Sequence, residues 1–269
     1  MGDRRRTSFF LQALLLAFLY LFLYFPIFYI AYVSFVENTT WPFPPLYTLE
    51  WYARLAIMSD FHEGLLNSLL IGLGTGALAA LFATAGAMAL LRYPVRRKAL
   101  VALLYLGPLF VAEVLIGIST LMFNRNVLGL PGNLFSAILS NTTHALAFAF
   151  LVVLSQLVRY DWRMDDAAMV FGARPLRCFF EVTLPSIWPA VLGAFLVSFL
   201  LAFNNFEISF YNLGAVPTLP TIAWGTLRHG IEPELYALAT LVNLAVFVAL
   251  FLLYLLIRTG LVRIGLPED

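Results

Sequence analysis

Six long runs of apolar residues constrain this chain more than any other feature of its sequence. The runs cover approximately residues 9–35, 65–91, 100–123, 137–158, 188–211 and 236–257. A run of about 18 or more apolar residues is long enough to cross a hydrocarbon layer about 30 Å thick. Only 12% of the 269 residues are charged, against about 25% in soluble domains. The sequence therefore predicts a protein that crosses a lipid bilayer several times.

Each run is predicted to be a helix, because lipid offers no hydrogen bonds and a helix satisfies its own backbone. The alternating pattern of a membrane barrel is absent from the sequence. We therefore expect an all-α fold with six transmembrane helices in one domain over residues 1–269. Arg4, Arg5 and Arg6 precede the first run, but that run is too long for the core of a signal peptide. We expect it to remain as an uncleaved helix.

The distribution of Lys and Arg predicts how the spans are oriented. If the amino terminus is cytoplasmic, 13 of the 16 residues of these two types lie on the cytoplasmic side. Arg54, Arg125 and Arg228 are then the three that lie outside. Because cytoplasmic loops of membrane proteins are enriched in Lys and Arg, we expect both termini in the cytoplasm.

Several other classes of protein are disfavoured by the sequence. The net charge of +1 gives no general attraction to nucleic acid, and the single Cys178 permits neither an internal disulfide nor a structural zinc site. The only lysine, Lys98, is not followed by Ser or Thr, so the phosphate-binding P-loop is absent. His62, His144 and His229 form no zinc-protease motif. We predict a chain that is not an enzyme and holds no cofactor or metal.

The second run carries small residues at intervals of four, at Gly72, Gly76 and Ala80. Small residues at this spacing let helix backbones approach closely, which gains dispersion contacts in a membrane. We expect this helix to lie centrally among the others.

The longest predicted cytoplasmic loop covers residues 159–187, between the fourth and fifth runs. Asp161 is a plausible N-cap, and Asp165 and Asp166 fall in the first turns, where negative charge suits the helix dipole. Gly172 is a typical helix end. The loop is therefore predicted to hold a short amphipathic helix that faces the cytosol.

The same loop carries a spaced motif: Asp166-Ala167-Ala168, then Gly172, then Val182 and Leu184-Pro185. This motif resembles the signature of permease subunits of ABC importers, which is Glu-Ala-Ala, three residues, Gly, nine residues, Ile, one residue and Leu-Pro. Asp for Glu and Val for Ile are the two departures. The resemblance implies a fold like that of type I ABC importer permeases, with the loop docked on an ATPase. The coupling residues that it implies are Asp165, Asp166, Ala167, Ala168, Val170, Phe171, Gly172, Leu184 and Pro185.

The residues from Pro108 to Ile118 and from Asn204 to Tyr211 look like those of the spermidine/putrescine-type permeases. Many members carry two adjacent acids in the fifth helix, whereas here Asn204 and Asn205 precede a single Glu207. The resemblance implies a bacterial inner-membrane importer in which this chain forms half of the solute path. The implied partners are a second permease, two ATP-binding subunits that hydrolyse ATP, and an extracytoplasmic solute-binding protein.

Two acids lie inside apolar runs, Glu113 and Glu207. Each costs about 2.5 to 3.5 kcal/mol at mid-helix, so each needs compensation or a function. Gly107 and Pro108 suggest a locally opened helix beside Glu113. The candidate residues of the solute path are Glu113, Asn204, Asn205, Glu207 and Ser209. A carboxylate there favours polyamines or other amine-bearing solutes, although a structural hydrogen-bonded pair between helices is the alternative.

Two other functional classes stay open from the sequence. A secondary transporter would work without an ATPase, but no internal repeat is visible between the halves of the chain. An intramembrane enzyme or scaffold is disfavoured because the runs contain no paired catalytic groups.

Overall fold

A computed structural model describes residues 2–38, 43–229 and 232–258 of the protein. The helices, in chain order, are α1 (Gly2–Val33), α2 (Glu50–Ile57), α3 (Ser59–Arg92), α4 (Lys98–Leu106), α5 (Glu113–Asn126), α6 (Leu134–Leu157), α7 (Arg163–Val170), α8 (Pro175–Cys178), α9 (Leu184–Phe203), α10 (Glu207–Asn212), α11 (Leu219–His229) and α12 (Pro233–Arg258). Within these ranges, β pairing is limited to one isolated bridge between Val36 and Tyr47. The predicted all-α fold class is confirmed.

Four helical segments are long and apolar enough to cross a membrane. They are Leu11–Val33, Ser59–Arg92, Leu134–Leu157 and Pro175–Phe203. The third predicted run adds a fifth span if its two pieces, bent by 107° at a short break, are counted together. The sixth run coincides with α12, whose described apolar part is a shorter stretch, Pro233–Val248. The protein therefore crosses the membrane several times, and the number six stays a prediction.

The described residues divide into two compact units, residues 2–59 with 223–258 and residues 60–222. We call them the terminal unit and the central unit. The single domain that the sequence predicts stays a prediction.

In the terminal unit, α12 contacts both α1 and α2. The Trp51 indole donates a hydrogen bond to the carbonyl of Val36 over 2.9 Å, which fixes α2 against the end of α1. Arg54 joins α2 to α12 through Glu234, with 3.2 Å between the charged groups. In the described part of the chain, the most apolar stretch of 18 residues within Leu11–Val33 contains no buried residue. Its side chains can therefore contact lipid or another chain.

The core of the central unit is built by α3, α6 and α9. Its buried members are mostly alanines on α3 and larger residues on α6, such as Phe150. A Cβ on Gly72 would lie 2.8 Å from the ring of Phe199, and a Cβ on Gly76 would lie 3.0 Å from Phe195. Only glycine therefore permits this approach of α3 to α9, as the spacing of small residues predicts.

Two predicted spans are interrupted in the central unit. The third run opens after α4, where a 3-10 turn over Gly107–Phe110 leads into extended backbone at Val111 and Ala112. This opening confirms the expectation from Gly107 and Pro108. The fifth run, predicted to be continuous over residues 188–211, is not: α9 ends at Phe203 and α10 begins at Glu207.

The break in the fifth run has a local cause. The side-chain oxygen of Asn205 accepts hydrogen bonds from the backbone N–H groups of Ile208 over 2.8 Å and Ser209 over 3.4 Å. An asparagine that caps backbone groups in this way competes with the continuing helix and starts a new one.

A π-helical segment over Phe179–Thr183 joins α8 to α9 without interrupting the helix. Pro185 follows in the first turn of α9. Proline has no N–H to donate to the residue four positions earlier. The wider π turn therefore accommodates Pro185 without breaking the helix.

Candidate functional sites

The loop helix α7 lies where the sequence predicts, but its N-cap is Trp162 and not the predicted Asp161. The carboxylate of Asp161 accepts the backbone N–H of Arg163 over 3.1 Å, and both Asp165 and Asp166 lie in the first turn. At the other end, Gly172 has a φ of +90°. The N–H of Ala173 donates to Ala168, and the N–H of Gly172 to Met169, which is the Schellman pattern of helix termination. The sharp reversal after α7 therefore depends on a left-handed residue.

Asp165 points into the protein. Asp165 is only 5% exposed. Its carboxylate accepts hydrogen bonds from the hydroxyls of Tyr160 over 2.6 Å and Thr183 over 3.1 Å. Burial, followed by the hydrogen bond to Asp165, raises the pKa of the Tyr160 hydroxyl, which therefore stays protonated and donates. Asp165 thus ties α7 to the segment that leads into α9.

Asp166 points the other way. Its carboxylate lies 2.8 Å from the guanidinium of Arg92, the last residue of α3. The same guanidinium lies 5.3 Å from the centre of the Trp162 ring. The first turn of α7 is therefore attached both to α3 and, through Asp165, to the start of α9.

The far end of α7 carries apolar side chains that are open to solvent. Val170 is 85% exposed and Phe171 is 91% exposed. Leu176, at the start of the following helix, is also exposed. Of the other residues that the motif implies, Ala167 and Pro185 are exposed, whereas Ala168 and Leu184 are half-buried. We call Val170, Phe171 and Leu176 the apolar tip.

The two interrupted spans meet inside the central unit. Glu113 is the first residue of α5, where its negative charge suits the free end of the helix. The amide of Asn205 donates to one carboxylate oxygen of Glu113 over 2.5 Å. The other oxygen lies 3.5 Å from Nε2 of His144. The Glu113 side chain nevertheless stays 37% exposed, so part of the carboxylate is open to another group.

His144 itself is buried on α6 and contacts the ring of Phe148 edge-on. Its Nδ1 atom has no hydrogen-bond partner among the described side chains. Sequence reasoning did not assign His144 or Asn141 to this site. Their spacing of three residues within an apolar run was a signal that both face the same side of a helix.

A buried polar seam continues from the interrupted spans. The Asn141 amide donates to Ser209 over 3.1 Å, which joins α6 to α10. The Asn212 amide lies within hydrogen-bonding distance of Gly117 and Thr120 on α5. Asn124 completes the seam. Its amide lies near Ser136, Ser140 and Asn212. These contacts hold α5, α6 and α10 together.

The candidate path residues therefore fall into two groups. Glu113, Asn205 and Ser209 lie in the connected polar region. Asn204 is exposed, and its amide bonds locally to the carbonyl of Leu200. Glu207 is half-buried, and among the described side chains none bonds to its carboxylate. The described residues also contain no cluster of three His, Cys, Asp or Glu side chains able to hold a metal.

Two solved structures of ABC transporters contain chains with this fold. A chain of a bacterial ABC transporter involved in the import of the acidic polysaccharide alginate matches with a TM-score of 0.72 at 18% identity, covering 94% of this chain and 96% of that one. A chain of the bacterial alginate ABC transporter in complex with an alginate pentasaccharide-bound periplasmic protein gives a TM-score of 0.67 at 17% identity, covering 98% and 99%. This chain therefore shares its fold with chains of these ABC transporters.

Curated relatives are more similar in sequence. The putrescine transport system permease protein PotI of Escherichia coli K12 is 31% identical over 254 residues, covering 90% of this chain and 89% of PotI. The spermidine/putrescine transport system permease protein PotC is 29% identical in Escherichia coli K12, covering 83% of this chain and 84% of the relative. In Haemophilus influenzae, PotC is 27% identical, covering 87% and 91%. A comparison with models of protein families gives no match. The chain belongs to the spermidine/putrescine-type permease subunits of ABC importers.

Proposed function

We propose that this chain forms one half of the solute path of an importer in a bacterial inner membrane. It crosses the membrane six times with both termini in the cytoplasm and pairs with a second, similar permease. An extracytoplasmic binding protein delivers the solute, and two separate subunits hydrolyse ATP. The loop of residues 159–187 couples the permease to those subunits.

The observation that carries the coupling proposal is the apolar tip of the loop. Aromatic side chains, Phe included, are enriched in the buried core of protein interfaces. Phe171 and Val170 are almost fully exposed, while the other end of α7 is held by Asp165 and Asp166. A helix fixed in this way loses little freedom when it docks, so more of the contact energy remains for binding.

The solute is proposed to carry an amine, with putrescine as the first candidate. The relatives named above are permeases of putrescine or spermidine transport systems. The partly exposed carboxylate of Glu113 suits an ammonium group, because charge-assisted hydrogen bonds are the strong ones. Asn204, Ser209 and Glu207 are the other proposed path residues, together with Asn205, which orients Glu113. The fold alone does not select the charge of the solute, since the matching alginate transporter imports an acidic polysaccharide.

The coupling is tested by replacing Phe171 with serine in the complete importer. Loss of a central aromatic contact costs about 2 kcal/mol or more, so we expect the ATP-binding subunit to be retained about 30-fold more weakly during purification. Phe180→Ser is the matched control, because Phe180 is also exposed but lies outside α7. Undiminished retention and undiminished ATP-dependent uptake by Phe171→Ser would count against the proposal.

The side of the membrane is tested with a cysteine at the same position. In Phe171→Cys, a thiol reagent that does not cross membranes should react only when it reaches the cytoplasmic face. The native Cys178 is buried and gives the background in the parent protein. Labelling from outside the cell would overturn the proposed orientation.

A further inference from the structure

The side chain of Arg92 joins α3 to the loop helix α7. In the described part of the chain, no other charged side chain of α3 bonds to α7. The Nη2 atom of Arg92 lies 2.8 Å from the Asp166 carboxylate, and the centre of its guanidinium lies 5.3 Å from the Trp162 ring. Arg92 and Asp166 are 74 positions apart in the sequence. The contact therefore joins two helices, α3 and α7, that are far apart in the sequence.

The two partners of Arg92 lie on the same side of the loop helix. Trp162 immediately precedes α7, and Asp166 follows four positions later, which is the spacing of neighbours along one helix face. The guanidinium thus lies over the Trp162 ring and donates a hydrogen bond to the Asp166 carboxylate. Arginine suits this double contact, whereas the point charge of lysine lacks the planar stacking surface.

The position of Arg92 in its own helix also matters. As the last residue of α3 it places a positive charge at the end of the helix, where the dipole favours one. Its side chain is 23% exposed, against 65% for Asp166, so solvent screens this pair less than a fully exposed one. The ion pair is therefore partly protected at its α3 end.

A displacement at Arg92 would pass into a rigid element. Ala83 and Ala87, in the half of α3 that ends at Arg92, are fully buried in the core with α6 and α9. Further along, Gly72 and Gly76 contact the Phe199 and Phe195 rings of α9 without room for a methyl group. Packed interiors of this kind transmit strain because they have little free volume.

We propose that Arg92 is a positioning residue of the import cycle, which carries movement of the loop helix into α3. This inference rests on the proposed coupling function of the loop. Asp165 and Thr183 provide the route from α7 into α9, and Arg92 provides the second route, into α3. An importer that lacks the Arg92 contact should still dock its ATPase but should waste ATP.

The experiment measures solute moved per ATP hydrolysed by the complete importer in proteoliposomes, with radiolabelled putrescine as the probe. Arg92→Gln should lower this ratio at least about threefold, within the range by which residues along a coupling route change coupling. The ATP-binding subunits should stay bound. Arg96→Gln is the matched control, because it removes the same charge nearby at an exposed side chain. Equal ratios for Arg92→Gln and Arg96→Gln would overturn the inference.

A double-mutant cycle separates a coupling role from simple loss of charge. If Arg92 acts through Asp166, then Arg92→Gln, Asp166→Asn and the double variant should lower the ratio by similar factors. Additive losses would mean that the two residues act independently, which contradicts the inference. Should Arg92→Gln fail to assemble, Arg92→Lys replaces it. This variant keeps the charge opposite Asp166 but loses the planar surface over Trp162, so it should lower the ratio, and a ratio equal to that of Arg96→Lys would overturn the inference.

The failure of this inference is distinguishable from the failure of the proposed function. If the unmodified importer does not retain its ATP-binding subunits, the coupling proposal itself is wrong. If it retains them but does not take up putrescine, the solute assignment is wrong. In that case, stimulation of ATP hydrolysis by the binding protein becomes the readout for Arg92→Gln, with the same expected loss and the same control.

Discussion

The loop and the interrupted spans each hold a carboxylate between polar side chains, but they leave it differently exposed. Asp165 is buried, and two hydroxyl groups donate to it. Glu113 receives one amide, faces a histidine at 3.5 Å and keeps 37% of its side chain exposed. A carboxylate whose partners are all supplied by the protein holds structure together. A carboxylate with an open face is available to bind something else.

The same contrast extends to the apolar residues around each carboxylate. In the loop, the polar group is inside and Phe171 is outside, so the surface offered to a partner is apolar. In the interrupted spans, polar groups bond to one another between α5, α6 and α10, and the Glu113 carboxylate, like that of Glu207, is left partly open. We infer that the loop is built to dock and that the interrupted spans are built to bind.

The largest effect is expected from removing the buried carboxylate. Asp165→Ala leaves the hydroxyls of Tyr160 and Thr183 without their acceptor, and unsatisfied buried groups cost about 1 to 3 kcal/mol each. We expect a loss of about 3 kcal/mol in stability, measured by thermal unfolding of the purified importer. Asp161→Ala is the control, because the exposed Asp161 carboxylate accepts one backbone N–H, a contact worth about 1 kcal/mol. Equal losses would break the comparison on the loop side.

Glu113→Gln tests the other side of the comparison. The glutamine carbonyl still accepts the amide of Asn205, so the thermal stability should stay the same. Uptake of putrescine should fall about tenfold, which corresponds to about 1.4 kcal/mol of lost charge-assisted bonding. The same uptake assay with a neutral solute of similar size provides the contrast, and equal effects on both solutes would remove the charge argument.

A smaller effect is expected at the end of α7. Gly172 has a φ of +90° and open space around a Cβ, so any penalty for a side chain comes from the backbone. Gly172→Val should cost about 1 to 2 kcal/mol and lower the retention of the ATP-binding subunits. Gly172→Asn should cost less, because asparagine tolerates left-handed backbone. If the two variants behave alike, the helix end does not set the direction of the apolar tip.

Much of the loop could be predicted from its sequence. Asp161, the two acids of the first turn and Gly172 mark the two ends of a helix by local chemistry alone, and the structure places the helix there. The opposite directions of Asp165 and Asp166 could not be predicted. They depend on Tyr160, Thr183 and Arg92, which approach from separate parts of the chain.

The spans were predictable as apolar runs but not in their continuity. Gly107 and Pro108 carry a known helix-breaking signal, and the third run does open there. The break after Phe203 has a weaker signal, because asparagine within an apolar run is compatible with either a polar helix face or a cap. The bonds from the Ile208 and Ser209 backbone to the Asn205 oxygen show that Asn205 is a cap. The Asn205 amide also bonds to Glu113, 92 positions away, a contact that no local pattern reveals.

The π-helical segment ahead of Pro185 determines how far the loop is rotated about the axis of α9. Each residue of an α-helix turns the chain by about 100°. Deleting one residue between Phe179 and Thr183 would therefore rotate everything before it by roughly that angle relative to α9. Phe171 would then face a different direction even with every contact within α7 intact. The number of residues in this segment, more than their identity, sets the direction in which α7 points relative to α9.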